Sequence, residues 1–328
     1  MPTAAHLAAR SLRRSSRQAL LAAAAVLLAG PALPENLAAA SREQPPIVWR
    51  GPDGQPLPFA RDLEVEAFLR DAEVLSSVPI PEGTTGARKL LLEHDGARAH
   101  AVFRSHHDAD RGVHLEDGRR LAFFLDSYKS EVAAYRLSRL LGMWNVPPAV
   151  VRRVGKRLGS VQLWVEGART QTTVQEKRIV VPDELLAWRT KQTWEMRIFD
   201  NLINNIDRNA GNILWSQAWD LWLIDHTRSF ARATELPSAD RIHRCSRRLF
   251  EALARLDEES LATELENLFG RFEIHALLVR RDRVLEHLRS LIADLGEDAV
   301  LFDLEAPATA PELDEPSEKA WRRPARMP

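Results

Sequence analysis

The sequence predicts an α+β chain in two lobes, an antiparallel-sheet lobe carrying one helix followed by a mainly helical lobe. Three observations predict it. Short β-patterned runs punctuated by turn residues fill the stretch from Val74 to Val165, a long helical pattern opens at Pro182-Asp183, and the polar run Thr170 to Thr173 separates the two.

Taken in order, the segment 41–70 is rich in Pro, Gly and polar residues and reads as a linker. Within the first lobe, 71–167, Val74 to Val78 is a strand, Leu90 to Leu92 a second, and Asp95-Gly96 turns the chain into a third from Ala99 to Arg104. Asp126 or Ser127 caps a helix that runs to Leu141, with Val132, Ala133, Leu137, Leu140 and Leu141 at helical spacing; Gly142 stops it and Pro147-Pro148 prevents continuation. Strands from Ala149 to Val154 and Ser160 to Val165 complete five strands and one helix, ending at Glu166-Gly167. The second lobe, 168–305, opens with a helix carrying Leu185, Leu186, Trp194, Ile198, Phe199, Leu202 and Ile203. A polar loop from Asn204 to Gly211 follows, then a hairpin of Ile213 to Trp215 and Leu221 to Ile224, then amphipathic helices from Arg241 to Leu295. The Pro-rich, charged tail 306–328 reads as disordered.

With 328 residues, 45% of them hydrophobic, the chain can bury one large core or two. Lys plus Arg total 45 against 46 for Asp plus Glu, which provides no footprint for nucleic acid. Cys245 is the single cysteine, so an intrachain disulfide and a cysteine-based metal site are excluded. In residues 1–40, Arg10, Arg13, Arg14 and Arg17 precede an apolar run from Ala19 to Leu33, and Ala38-Ala39-Ala40 offers small residues for cleavage. That order matches a secretory signal peptide; if uncleaved, it would serve as a membrane anchor, the chain's one route to a membrane. The expected location is therefore exported, periplasmic or secreted.

The chemistry concentrates in two short segments. Asp207-Arg208-Asn209-Ala210-Gly211-Asn212 sets a carboxylate and an amide five residues apart in a loop between a buried helix and a hairpin. Leu223-Ile224-Asp225-His226 delivers a second carboxylate where the hairpin's apolar strand ends. Phosphoryl transfer asks for such a set: a carboxylate to take up the proton of the attacking hydroxyl, and hard oxygen ligands for a divalent cation on the phosphates. The same residue types also shape ordinary turns and caps. A second group, His106, His107, Asp108, Asp110 and His114, reads as a surface loop, since it lacks H-E-x-x-H spacing and cysteine partners.

The run FDNLINNIDRNAGNILW followed by LWLIDHTRSF resembles the catalytic segments shared by the phosphatidylinositol 3/4-kinase family, the HipA toxin kinases and the secretory-pathway kinases of the Golgi casein-kinase type. That resemblance implies a two-lobed protein-kinase-like fold that uses ATP with Mg2+ or Mn2+. It implies Asp207 as catalytic carboxylate, with Arg208 beside it stabilising transferred phosphate or pairing with Asp225, and Asn212 and Asp225 as metal ligands. In the first lobe it implies a phosphate loop at Gly83, Thr84, Thr85 and Gly86, and a helix glutamate at Glu131. Glu166 would meet the adenine at the hinge. Arg104 stands where such kinases carry a lysine, keeping the positive charge but with a larger, differently directed fork. Lys89 on the neighbouring strand either supplies the missing ammonium or stands as a solvated charge. The implied function is ATP-dependent phosphotransfer to a hydroxyl of a protein or small molecule. A catalytically silent kinase-like binding module and nucleotidyl transfer to protein are the alternatives.

Overall fold

The computed structural model describes residues 47–81, 86–114 and 120–306. The expected signal segment, Gly83, Thr84 and Thr85 of the expected phosphate loop, and nearly all of the Pro-rich tail lie outside the described residues.

The first lobe contains α1 (Asp62–Asp71), β1 (Glu73–Pro79), β2 (Arg88–His94), β3 (Ala97–Arg104), β4 (His107–His114), β5 (Arg120–Ser127), α2 (Tyr128–Leu140), β6 (Ala149–Val154) and β7 (Arg157–Leu163). Five strands form an antiparallel sheet in the order β1-β2-β3-β7-β6. Asp95 and Gly96 both take positive φ (48° and 79°) in the turn between β2 and β3, the geometry a tight hairpin of this hand requires. Because side chains alternate along a strand, Leu90, Leu92, Ala99, Ala101, Phe103, Val161 and Leu163 share one face and are buried with Val65, Phe68 and Leu69 of α1 and with Trp49. The opposite face carries Lys89, Val102, Arg104 and Gln162.

Two expectations change here. The predicted linker 41–70 contains α1, and with Trp49 and Leu57 it packs on the sheet. Its Pro and Gly residues close a small turn, with Gly51 N–H donating to the Gln55 carbonyl and Leu57 N–H to that of Trp49, rather than leaving an extended spacer. The His-rich stretch is strand β4, not a loop; the apolar run beginning at Leu121 supplies its partner β5, in register from His107 opposite Ser127 to His114 opposite Arg120.

The second lobe contains β8 (Arg169–Thr170), α3 (Gln171–Glu176), α4 (Asp183–Leu202), β9 (Ile213–Trp215), β10 (Leu221–Leu223), β11 (Cys245–Ser246), α5 (Arg247–Arg255), α6 (Glu258–Glu264), α7 (Arg271–Leu295), α8 (Glu297–Val300) and β12 (Leu301–Phe302). Ile198, Phe199 and Leu202 of α4 and Leu277, Val284 and Leu288 of α7 are among its buried core. The fully buried Arg280 of α7 donates to the carbonyls of Leu202, Ala231 and Ala233, tying α7 to the end of α4 and to the chain after Phe230. Among the described residues, no helix is long and apolar enough to cross a membrane.

Gly159 governs how closely β7 approaches β3. A Cβ there would overlap the Arg104 carbonyl oxygen and the Phe103 ring. Gly159→Ala is expected to push the two strands apart at Arg104 and to destabilise the fold by about 1–3 kcal/mol, the usual cost of overpacking; the midpoint of urea unfolding measures it, and an unchanged midpoint contradicts this account.

Candidate active site

The loop after α4 is built around Asp200. The chain leaves the helix through Asn204, whose φ is 54°, and Asn205 N–H and Nδ2 donate back to the Asp200 carbonyl (2.8 Å) and Oδ1 (3.1 Å). Arg208 then folds inward: Nε and Nη2 donate to the Asp200 carboxylate, and Nη1 donates to the carbonyls of Asn212 (2.9 Å) and Ile224 (2.8 Å). The expectation that Arg208 either contacts phosphate or pairs with Asp225 is corrected. Its donors are directed at Asp200 and at two carbonyls, so it braces the loop against the hairpin instead. That bracing is what gathers the site, because each carbonyl it holds belongs to Asn212 itself or to the residue before Asp225. Ile224 N–H also donates to the Asn212 carbonyl (3.3 Å). Asn212 Nδ2 donates to the Asp207 carbonyl (3.1 Å). Asp207 N–H is held by Asn205 Oδ1 (3.0 Å).

Asp225 takes φ 55°, an uncommon conformation for a non-glycine residue that turns its carboxylate away from the strand direction. The carboxylate meets Arg104, whose Nη2 is 3.4 Å from Asp225 Oδ2 and whose Nη1 is 4.0 Å from Glu131 Oε1. Glu131, from the first turn of α2, is fully buried and accepts from His226 N–H (2.5 Å), with the His226 ring Nδ1 3.3 Å from its other oxygen. Burial by itself would raise the Glu131 carboxyl, but the Arg104 guanidinium and the His226 ring and backbone N–H outweigh it and hold the group at about 2. Burial likewise opposes the charge on Arg104, yet Asp225 and Glu131 keep it above its ordinary value.

Successive residues of the segment Asp225–Ser229 engage the first lobe. Beyond Asp225 and His226, the Thr227 carbonyl accepts from Ser127 N–H (2.9 Å), Arg228 Nε donates to Asp126 Oδ2 (3.0 Å), and the Ser229 carbonyl accepts from Ser130 Oγ (3.2 Å). Arg228 Nη1 reaches the other way, to Asp207 Oδ2 at 3.2 Å. Asp126, Asp200, His226 and Arg228 thus belong to the constellation alongside the residues singled out from sequence. The cap was legible as Asp126 or Ser127, and Ser127 fills it, but nothing in the local pattern marks the partners.

Of the remaining candidates, Lys89 lies opposite Val102 on the same sheet face as Arg104, and its ammonium sits 4.2 Å from the centre of the Trp164 ring. Glu166 Oε1 is 2.5 Å from His100 Nδ1, beside Gly167 at φ 71°. Gly86, the one described residue of the glycine loop, has φ 67°. The structure therefore brings Arg104, Glu131, Asp207, Asn212 and Asp225 into one linked network, while Lys89 and Glu166 are engaged elsewhere on that face and at the hinge.

The donor set fits a phosphate-bearing ligand with a divalent cation. Among the described residues, Nε and Nη1 of Arg104 are buried N–H groups without a hydrogen-bond partner, and Asp126 Oδ1 is a buried carboxylate oxygen without one. Most buried polar atoms in folded proteins are hydrogen-bonded. The carboxylates of Asp126, Glu131, Asp207 and Asp225 outnumber the guanidiniums of Arg104 and Arg228 between them. Asp225 and Asn212 carry side-chain oxygens of the hard type that divalent cations such as Mg2+ accept. Among the described residues, no group of three or more His, Cys, Asp and Glu side chains is placed to hold a metal ion, at this site or elsewhere.

No family model and no curated protein matches the sequence. Solved structures do match. The structure of hydra Fam20 with sugar superposes with a TM-score of 0.56 at 14% identity, over 74% of this chain and 92% of that one. The Golgi casein kinase with Mn/ADP bound superposes with a TM-score of 0.53 at 13% identity, over 73% of this chain and 78% of that one. With its antiparallel sheet, its helix bearing Glu131 and its helical second lobe, the chain has the two-lobed kinase-like fold of these structures.

Proposed function

We propose that this chain is an ATP-dependent phosphotransferase that uses Mg2+ or Mn2+ and transfers to a hydroxyl of a protein or small molecule. The observation that carries the reading is the buried Arg104 guanidinium, set between Glu131 and Asp225, with two of its nitrogens making no hydrogen bond among the described residues. A guanidinium so placed has its charge fixed by carboxylates and its spare donors available for phosphate oxygens. Likeness to a kinase crystallised with Mn/ADP, and to a hydra Fam20 structure holding a sugar, supports nucleotide, metal and a hydroxyl-bearing acceptor as the ligand classes. Among the three kinase groups that the motifs resemble, it favours the secretory-pathway one. The basic, apolar and small-residue order of residues 1–40 supports export to a secretory or extracytoplasmic compartment.

In this reading Asp225 and the Asn212 amide oxygen hold the cation, which when bound neutralises and orients phosphate oxygens. Arg104 grips phosphate from the sheet face, in place of a lysine. Asp207 receives the proton of the acceptor hydroxyl as its oxygen bonds to the γ-phosphorus, and ADP departs with the electrons of the broken P–O bond. Arg208 serves none of these steps directly; it keeps Asn212 and Asp225 adjacent.

Thermal unfolding tests the nucleotide site, because a ligand that binds only the folded state stabilises it by mass action. ATP with Mg2+ or Mn2+ is expected to raise the melting temperature, and Asp225→Ala to abolish the metal-dependent part. No shift with any nucleotide would leave the silent binding module as the better account. Transfer of γ-label to an acceptor separates phosphotransfer from nucleotidyl transfer, which would carry α-label. Arg104→Ala is expected to weaken nucleotide binding at least about tenfold, the loss of roughly one charge-assisted hydrogen bond. Lys89→Ala should change it by less than about threefold, since that ammonium is engaged by Trp164; calorimetric titration distinguishes the two, and the reverse ranking would assign the phosphate grip to Lys89.

A further inference from the structure

We propose that Arg228 is a positioning residue for Asp207, coupling the carboxylate that takes the hydroxyl proton to the first turn of α2; this rests on the phosphotransferase reading. The guanidinium is held from both sides, Nε by Asp126 Oδ2 at 3.0 Å and Nη1 by Asp207 Oδ2 at 3.2 Å. Its two ends differ in freedom. Asp126 is 3% exposed, lies at the end of β5 and immediately precedes Ser127, whose Oγ caps α2, so it is fixed at the junction of strand and helix. The Asp207 side chain is 40% exposed, and among the described residues its other oxygen has a single hydrogen bond, at 3.4 Å from Asn209 Nδ2.

An aspartate's terminal torsion is broad and nearly two-fold, so a half-exposed carboxylate held at neither oxygen interchanges them freely. Fixing Oδ2 leaves Oδ1 as the oxygen for the incoming hydroxyl, and a small misplacement of such a group costs up to about a hundredfold in rate. The origin of the arm is itself pinned. On either side of Arg228, the carbonyls of Thr227 and Ser229 accept from Ser127 N–H and Ser130 Oγ. Any displacement of the first turn of α2 therefore shifts Arg228 and releases Asp207. The grip on nucleotide rests on Arg104, paired with Asp225 at 3.4 Å, and not on the Arg228 side chain. An exposed ion pair serving only to join the lobes would contribute at most about 1 kcal/mol of stability and leave turnover unchanged.

The test uses the full chain with Mg2+ and γ-labelled ATP, reading total ADP formation for kcat and calorimetric affinity for MgATP. Arg228→Gln is expected to lower kcat about 10- to 100-fold while MgATP affinity stays within about threefold. Arg228→Lys should recover part of the loss. Asp126→Asn, which loosens the same bridge from the helix side, should lower kcat in the same direction, and the double variant should be no worse than Arg228→Gln. Unchanged kcat in Arg228→Gln, or affinity falling in step with kcat across the variants, overturns the positioning role. If the unmodified chain neither binds MgATP nor releases ADP, the phosphotransferase reading fails on that result alone, and the role assigned to Arg228 falls with it.

Discussion

The buried contact among Arg104, Glu131, Asp225 and His226 is the constraint on which the rest of the site depends. It joins the end of β3, the first turn of α2 and the chain leaving β10, elements that share no continuous backbone hydrogen bonding at that point. Charges taken out of water are tolerated only when paired, and removing one partner of a buried pair costs more than the pair contributes. None of the three elements can therefore shift alone without stranding a charge. His226 deepens the constraint by adding a backbone and a ring contact to a glutamate that Arg104 already neutralises.

Beside this junction lies a second network of different character. Asp200, Asn205 and Arg208 belong to one lobe and one stretch of chain, and they shape the loop that presents Asp207 and Asn212. The three neighbouring arginines divide the work by geometry: Arg208 turns inward to carbonyls and the buried Asp200 carboxylate, Arg228 spans the lobes, and Arg104 keeps buried donors that make no hydrogen bond among the described residues. Gly159 completes the arrangement from the far side, since only a residue without a side chain lets β7 lie against the Arg104 carbonyl.

Much of the first lobe was legible because its signals are local. Asp95-Gly96 announces its turn, Ser127 its cap, and the alternation in β2 and β3 its buried face. What was not legible had competing local signals. The Pro and Gly residues before α1 spoke for a linker, and only the packing of Trp49 and Leu57 on the sheet shows that they close a turn instead. The histidines of β4 spoke for a surface loop, and its strand pairing depends on a partner found on the far side of the turn. At the site, residue types and spacing pointed to Asp207, Asn212 and Asp225, and the resemblance to kinases pointed to Arg104 and Glu131; the structure gathers the five together. The same reasoning sent Arg208 to the wrong partner, because Asp200 and Asp225 are both within its reach along the chain and the direction of the loop alone selects between them.

The sequence by itself determined where strands, helices and turns begin and end through most of the chain, and which polar residues stand at the ends of apolar elements. Those properties follow from side-chain periodicity and turn chemistry, which operate over a few residues. Only the tertiary structure decided which charges meet: Arg228 with Asp126 is a contact across 102 positions, and His226 with Glu131 across 95. Ionic partners are chosen by which side chains leave water together when the lobes close, and that choice is written in the packing of whole elements rather than in any short stretch of residues.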